Sequence, residues 1–236
     1  MNTDSYQTQI LEVAQSAVKY RKWLAAPTYS FLGPNPLEFG SGIGDYAKEW
    51  LLLGLKRITV SENSPTRIAT LRTVFADNSS VLVKEMNIES LGNIFEKYSA
   101  IVSLNVIEHL ENDHASMLEA HRVLESGGYF VAFAPAFPLL MSNFDKAVGH
   151  YRRYTKRSAR ELLKSSGFDI VSVKYVNSIG WFAWLIGMKI LKLSPSDGPL
   201  LKAWDRVVIP IVRVCESRIT PPFGQSILII GRVPLI

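Results

Sequence analysis

Three glycines at alternate positions, Gly40-Ser41-Gly42-Ile43-Gly44, constrain this chain more than any other stretch of it. The apolar run Pro36-Leu37-Glu38-Phe39 leads into them, and a helical pattern from Tyr46 to Leu53 follows at once. Eighteen positions after Gly44, Glu62 closes a second strand-like run, Arg57-Ile58-Thr59-Val60-Ser61. A β-α-β unit with glycines in its first turn and a carboxylate at the tip of its second strand suits a nucleoside. The glycines let the backbone approach the ligand, and the carboxylate accepts hydrogen bonds from ribose hydroxyls. The spacing G-x-G-x-G, not G-x-G-x-x-G, argues against a dinucleotide, because the glycine that admits close helix packing beneath a pyrophosphate is displaced.

The alternation continues along the chain. Strands are predicted near 36–39, 57–61, 81–85, 98–104, 128–134 and 169–176, with helical patterns between them, and a last apolar run at Ser226-Ile227-Leu228-Ile229-Ile230-Gly231. This predicts an α/β fold: a doubly wound, seven-stranded, mostly parallel sheet with helices on both faces, in one domain over 1–236. Residues 8–26 read as an amphipathic cap helix that Pro27 ends, and 156–166 as another helix. At 47% hydrophobic and 20% charged residues the composition is that of a folded domain. The single cysteine, Cys215, excludes an internal disulfide and fits a reducing cytosol, and Met1-Asn2-Thr3-Asp4-Ser5 has no cationic, apolar leader. The expected location is cytoplasmic, with contact at the inner face of a membrane as an extension of it.

Further motifs follow in order: Val83-Lys84-Glu85-Met86-Asn87-Ile88, Ser103-Leu104-Asn105-Val106-Ile107-Glu108-His109-Leu110, and Arg122-Val123-Leu124-Glu125-Ser126-Gly127-Gly128. With Leu37 to Gly44 and Glu62 they resemble the class I S-adenosylmethionine-dependent methyltransferases, over about residues 17 to 176 plus the last strand. The resemblance implies a Rossmann-like methyltransferase fold with the last strand antiparallel between its neighbours, and S-adenosylmethionine as cofactor. It implies a cofactor site made by Arg21, Glu38, Gly40, Ser41, Gly42, Glu62, Met86, Asn87 and Asn105. In it Glu62 would hold the ribose, Met86 and Asn87 would flank adenine, and Arg21 would lie near the methionine carboxylate. Rival readings are a methyltransferase-fold scaffold without turnover and an NAD-dependent oxidoreductase, the latter opposed by the glycine spacing.

Methyl transfer from a sulfonium gains its rate largely from alignment, and a general base matters chiefly when the nucleophile is a hydroxyl. His109 follows the fourth strand, and His150 lies in Gly149-His150-Tyr151-Arg152-Arg153-Tyr154-Thr155 after the fifth, on the same sheet edge. Both are candidate catalytic residues, and they favour an O-methyl product. The Gly149–Thr155 run, with the upstream Pro138 and Asp145, resembles a bacterial methyltransferase subgroup. Tyr151, Arg152 and Arg153 could clamp an anionic acceptor, or simply begin a solvated helix. No metal is expected from the histidines: a five-residue step turns about 140° on a helix, so His109 and His114 face apart, and His121 brings no cysteine or carboxylate cluster.

Residues 1–149 hold 12 Lys/Arg and 16 Asp/Glu, whereas 150–236 hold 14 and 5. A basic carboxy-terminal part suits an anionic partner. The stretch 177–224 is too long for a connection and reads as a helical insertion or lid: an apolar run from Ile179 to Met188, a loop at 194–199, and a second pattern that Pro210 should kink or divide. Trp181 is a candidate substrate contact there. The run is too short to span a bilayer, which takes about 20 residues. It reads either as a lid or dimer contact buried on the domain, or as a segment in a membrane interface. The expected acceptor is a small, partly apolar molecule, anionic or lipid-linked. Nucleic acid is not expected, since no Asp/Asn-Pro-Pro-Tyr-like tetrad follows the fourth strand; peripheral membrane contact and a homodimer remain open.

Overall fold

Strands with no polar face belong in the middle of a sheet, and the first, second and fourth are of that kind. β1 (Pro36–Phe39), β2 (Ile58–Glu62) and β4 (Tyr98–Leu104) are buried at every position. The computed structural model describes residues 3–87, 89, 91, 95–193 and 198–235. With β3 (Val81–Glu85), β5 (Leu124–Pro135), β6 (Asp169–Val176) and β7 (Ser226–Arg232) these strands form one open sheet of order β3-β2-β1-β4-β5-β7-β6. The first five pair in parallel, and β7 runs antiparallel between β5 and β6. The register sets Glu38 opposite Val60 and Val102, so the carboxyl ends of β1, β2 and β4 open onto one edge. An apolar layer lies on each face, one around Phe39, Ile101 and Phe130, the other around Trp50, Val60 and Phe133.

The predicted strands are present, with one shift: β5 begins at Leu124, before the Gly127-Gly128 pair that was expected to precede it. Its register with β4 slips between Tyr98 and Ala100, and Gly127 at φ +75° takes up the irregularity. Helices α3 (Asp45–Leu52), α4 (Pro65–Val74), α5 (Asp113–Val123), α6 (Asn143–Ala147) and α7 (Lys156–Ser165) connect the strands.

The amino-terminal cap helix is two helices, not one over 8–26. α1 is Thr3–Ala14 and α2 is Val18–Tyr29, with Pro27 inside α2. Asp205, distant in sequence, fixes the start of α2 by accepting the N–H groups of Lys19 (2.9 Å) and Tyr20 (2.8 Å). Pro27 removes one bond from the last turn, which Trp50 and Thr28 hold by donating to the Ala25 carbonyl at 3.1 and 2.8 Å.

The insertion comprises α8 (Ser178–Ala183), continued as a π turn over 184–190, then α9 (Pro199–Ala203), a π turn over 204–208 and α10 (Ile209–Arg218). Pro210 widens the helix rather than dividing it. Lacking an N–H, it cannot make the α-helical bond to the Arg206 carbonyl, and Lys19 Nζ donates to that oxygen at 3.0 Å. Glu216 caps α8, accepting the N–H groups of Asn177 (2.9 Å) and Ser178 (2.7 Å). Of the expected loop at 194–199, residues 194–197 lie outside the described residues.

Candidate functional site

A cavity of about 500 Å³ opens at the carboxyl ends of β1, β2 and β4. Open α/β sheets bind ligands there, where adjacent connections leave in opposite directions. The glycine turn is its floor. Gly40 and Gly42 sit at φ +65° and +57°, where a side chain is strained, and each is also close to a neighbour. A Cβ on Gly40 would come within 2.5 Å of Val106, and one on Gly42 within 2.9 Å of Leu11. Ser41 lines the cavity, yet its hydroxyl is committed to the loop, donating to the Glu38 carbonyl (3.2 Å) and accepting the Ser61 N–H (3.1 Å).

Glu62, the last residue of β2, turns a buried carboxylate into the cavity. One oxygen accepts the Gly42 N–H at 3.1 Å; the other accepts those of Asn63 (2.9 Å) and Ser64 (3.2 Å) and pairs with Arg67 at 3.2 Å. Arg67 reaches on to Asp4 of α1 at 2.8 Å. Through this link α1 lies over the site: Gln7, Ile10, Leu11 and Ala14 line the cavity, while no residue of α1 is itself buried.

Glu38 is buried, and its Oε2 has no hydrogen-bond partner. Burial pushes its carboxyl up to about 8. Arg21 lines the cavity, held by Glu49 at 3.1 Å and Asp45 at 3.8 Å. Met86, Asn87 and Asn105 complete the wall, Asn105 in the left-handed region at φ +56° with its N–H donated to the Phe133 carbonyl at 2.7 Å. All nine residues that the resemblance assigned to the cofactor thus line one cavity.

At the other end of the cavity stand Glu108, His109 and His150. Glu108 and His109 lie in a 3₁₀ turn (Ile107–His109) directly after β4. His150 comes from the loop after α6, which is seated by the Tyr151 N–H donating to the Glu108 carbonyl at 2.8 Å. The imidazole rings meet edge to face with centroids 4.6 Å apart. His150 Nδ1 is 2.9 Å from Asp145, and its Nε2 is 3.8 Å from Glu108 Oε1. Glu108 has no solvent exposure, and neither carboxylate oxygen has a hydrogen-bond partner. Burial raises this carboxyl to about 7 against the opposing pull of His150, and lowers His109 to about 4, which leaves His109 neutral at physiological pH. Burial alone would raise Asp145 as well. Its bonds to His150, Arg153 and Ser142 outweigh that and hold it near 2.

The expected arginine clamp is not assembled. Residues 151–153 belong to no helix or strand, Tyr154 forms a parallel bridge with Ala136, and the two arginines turn to opposite sides. Arg153 turns inward, buried against Asp145 at 2.7 Å and stacked over Trp184 at 4.7 Å. Arg152 turns outward to Asp113 at 2.7 Å, and Tyr151 is exposed; neither lines the cavity. Trp181 packs on Phe137, Phe182 and Phe223 outside it, and the tryptophan on the cavity wall is Trp184, three residues on. Glu108 and Asp145 were visible as residue types, but their union with His150 depends on a contact across some 40 residues of chain. The metal question changes in the same way. His114 and His121 lie elsewhere, on Ser165 and Phe168, whereas Glu108, His109 and His150 bring donor atoms within 4.8 Å of one another, a spacing that could surround a cation but is too wide for direct hydrogen bonds.

Residues 37–132 match a family described as a methyltransferase domain. None of the curated proteins matches the chain. Among solved structures, the assigned methyltransferase that forms a complex with the Trm112 methyltransferase activator in Haloferax volcanii superposes with a TM-score of 0.64 at 16% identity, over 96% of each chain. A Thermotoga maritima SAM-dependent methyltransferase gives 0.59 at 19% identity, over 97% of this chain and 94% of that one. The Haemonchus contortus phosphoethanolamine N-methyltransferase 2, solved with S-adenosyl-L-methionine, gives 0.62 at 14%, over 89% of this chain and 52% of that one.

Proposed function

We propose that this chain, whose residues 37–132 are a class I S-adenosylmethionine-dependent methyltransferase domain, methylates a hydroxyl on a small, partly apolar acceptor. When bound, S-adenosylmethionine supplies an electrophilic methyl on a sulfonium. The residues present suit it: the glycine floor has no room for a side chain, and Glu38 offers a buried oxygen without a partner. Glu62 would hold the ribose, Met86 and Asn87 the adenine, and Arg21 the carboxylate end.

The observation that carries the choice of oxygen is Glu108, a wholly buried carboxylate with both oxygens unpartnered on the wall of this cavity. An amine attacks as its free base and needs only to be neutral; a hydroxyl must give up a proton as it attacks. Glu108 receives that proton. His150 stands beside it with Nδ1 fixed by Asp145 and Nε2 3.8 Å from Glu108, beyond hydrogen-bond reach, so it acts on Glu108 through its electrostatic pull toward the carboxylate form. Neutral His109 can hydrogen-bond the acceptor. The apolar part of the acceptor lies against Phe144, Val148 and Trp184. An anionic group on it would meet Arg153 only by competing with Asp145.

The test is a product screen: the purified chain with S-adenosylmethionine and native extract, read by mass spectrometry for compounds that gain one CH₂. The reading expects the new methyl on oxygen and loss of product with Glu108→Gln. A product methylated on nitrogen, or full turnover by that variant, overturns it.

A further inference from the structure

Half of the exposed large apolar side chains among the described residues fall in one segment, 179–219. They are not scattered. On α8 and its π turn, Ile179, Phe182, Ile186 and Ile190 recur at steps of three and four and are all exposed. Across α9, the π turn over 204–208 and α10, Leu200, Val207, Ile211 and Val214 recur at steps of seven, four and three. An amphipathic helix of a globular domain turns its apolar stripe to the core. These helices do so with other residues, Trp184 on the cavity wall and Ile209 and Val212 in the core, and carry a second stripe outward.

Charge is sorted in the same sense. The basic residues of the segment are Lys189, Lys192, Lys202, Arg206, Arg213 and Arg218, and five of them are exposed, with Lys189 half-buried. Its described acidic residues turn inward: Asp205 is buried capping α2, and Glu216 caps α8. The outward sides of these helices are therefore apolar stripes edged by cations, with no exposed carboxylate among their described residues. Among the described residues no helix is long and apolar enough to cross a membrane.

We propose that the outward side of this segment docks the protein on an anionic bilayer surface, with its exposed apolar side chains in the interface and its cations among the lipid headgroups. Apolar burial and headgroup attraction act together in such helices. A second copy of the chain fits less well, because a two-fold contact would set the same cations against themselves. The inference goes beyond the methyl-transfer reading and does not depend on it, since adsorption needs no turnover. Its geometric consequence is that Trp184, opposite the stripe on the same helix, keeps the cavity wall next to the membrane.

The experiment is flotation of the full chain with vesicles of phosphatidylcholine alone or mixed with phosphatidylglycerol, at low and high salt. The protein should float with the mixed vesicles, fail to float with the neutral ones, and float less as salt rises. Ile186→Ser/Ile190→Ser and Lys192→Glu/Arg213→Glu should each weaken partitioning by at least about tenfold, with S-adenosylhomocysteine affinity and thermal midpoint unchanged. Should a variant fail to fold, the wild-type contrast between vesicles and its salt dependence still decide. Absence from both vesicles, or flotation indifferent to lipid charge and salt, overturns the proposal. So does a stable dimer in light scattering that Ile186→Ser/Ile190→Ser dissociates while the wild type does not float.

Discussion

Replacing Glu62 with alanine removes a ligand contact and a structural joint together, and the two effects have different sizes. The carboxylate accepts three backbone N–H groups and pairs with Arg67, whose side chain is 8% exposed. Removing one member of a buried ion pair costs about 3–5 kcal/mol, because the surviving charge is stranded. Arg67 would keep Asp4, whose side chain is 38% exposed and holds it less firmly, so the lower end, about 3 kcal/mol, is expected. On the ligand side, charge-assisted bonds to ribose are worth about 1.5–3 kcal/mol, or tenfold and more in affinity. Urea unfolding measures the first and calorimetry with S-adenosylhomocysteine the second. Glu62→Ala/Arg67→Met separates them: with no stranded charge it should regain much of the stability and none of the affinity. A stability loss below about 0.5 kcal/mol in Glu62→Ala, the range of ordinary surface changes, would refute the buried-pair reasoning. Unchanged affinity would remove Glu62 from the cofactor site.

Gly42→Val should abolish S-adenosylhomocysteine binding with the far-ultraviolet circular dichroism intact, because its side chain meets both a left-handed backbone and Leu11; normal binding by this variant would move the site elsewhere. Turnover should climb with pH through about 7 as Glu108 ionises, and any residual turnover of Glu108→Gln should lack that limb of the kcat profile. Asp145, held near 2, contributes stability that is present above the ordinary carboxyl value of about 4 and lost as pH falls toward 2. Asp145→Asn should therefore unfold at lower urea at pH 7, with its deficit shrinking in acid; a deficit constant with pH would show that the carboxylate is not what stabilises that corner.

The sheet could be read from the sequence because its cause is local: apolar runs four to eight residues long, punctuated by glycines, leave a strand few alternatives. The glycine floor and Glu62 were legible for the same reason, since both arise within one β-α-β unit. What could not be read was set by side chains meeting across the chain. Asp205 decides where α2 begins from 186 residues away. Arg152 and Arg153 read as a pair, but acidic partners distant in the chain or across the loop draw them apart, one to Asp113 and the other to Asp145. Trp184 reaches the cavity and Trp181 does not, and nothing in a run of apolar residues tells which face of the helix meets it. The Glu108–His150–Asp145 corner had its three residue types in view and lacked only the contact that joins them.

The position of β7 bears on how the chain is made. Among the described residues β6 pairs only with β7, and 49 residues lie between the end of one and the start of the other. On a ribosome adding about 5–20 residues per second, β6 therefore waits some seconds for its partner. All of α8 to α10, the segment richest in outward apolar side chains, emerges during that wait. The interval before β7 inserts between β5 and β6 is thus when the nascent chain shows chaperones an open sheet edge and its stickiest helices together. Slowing translation after residue 176 should lengthen that exposure, whereas slowing it before residue 124 should not.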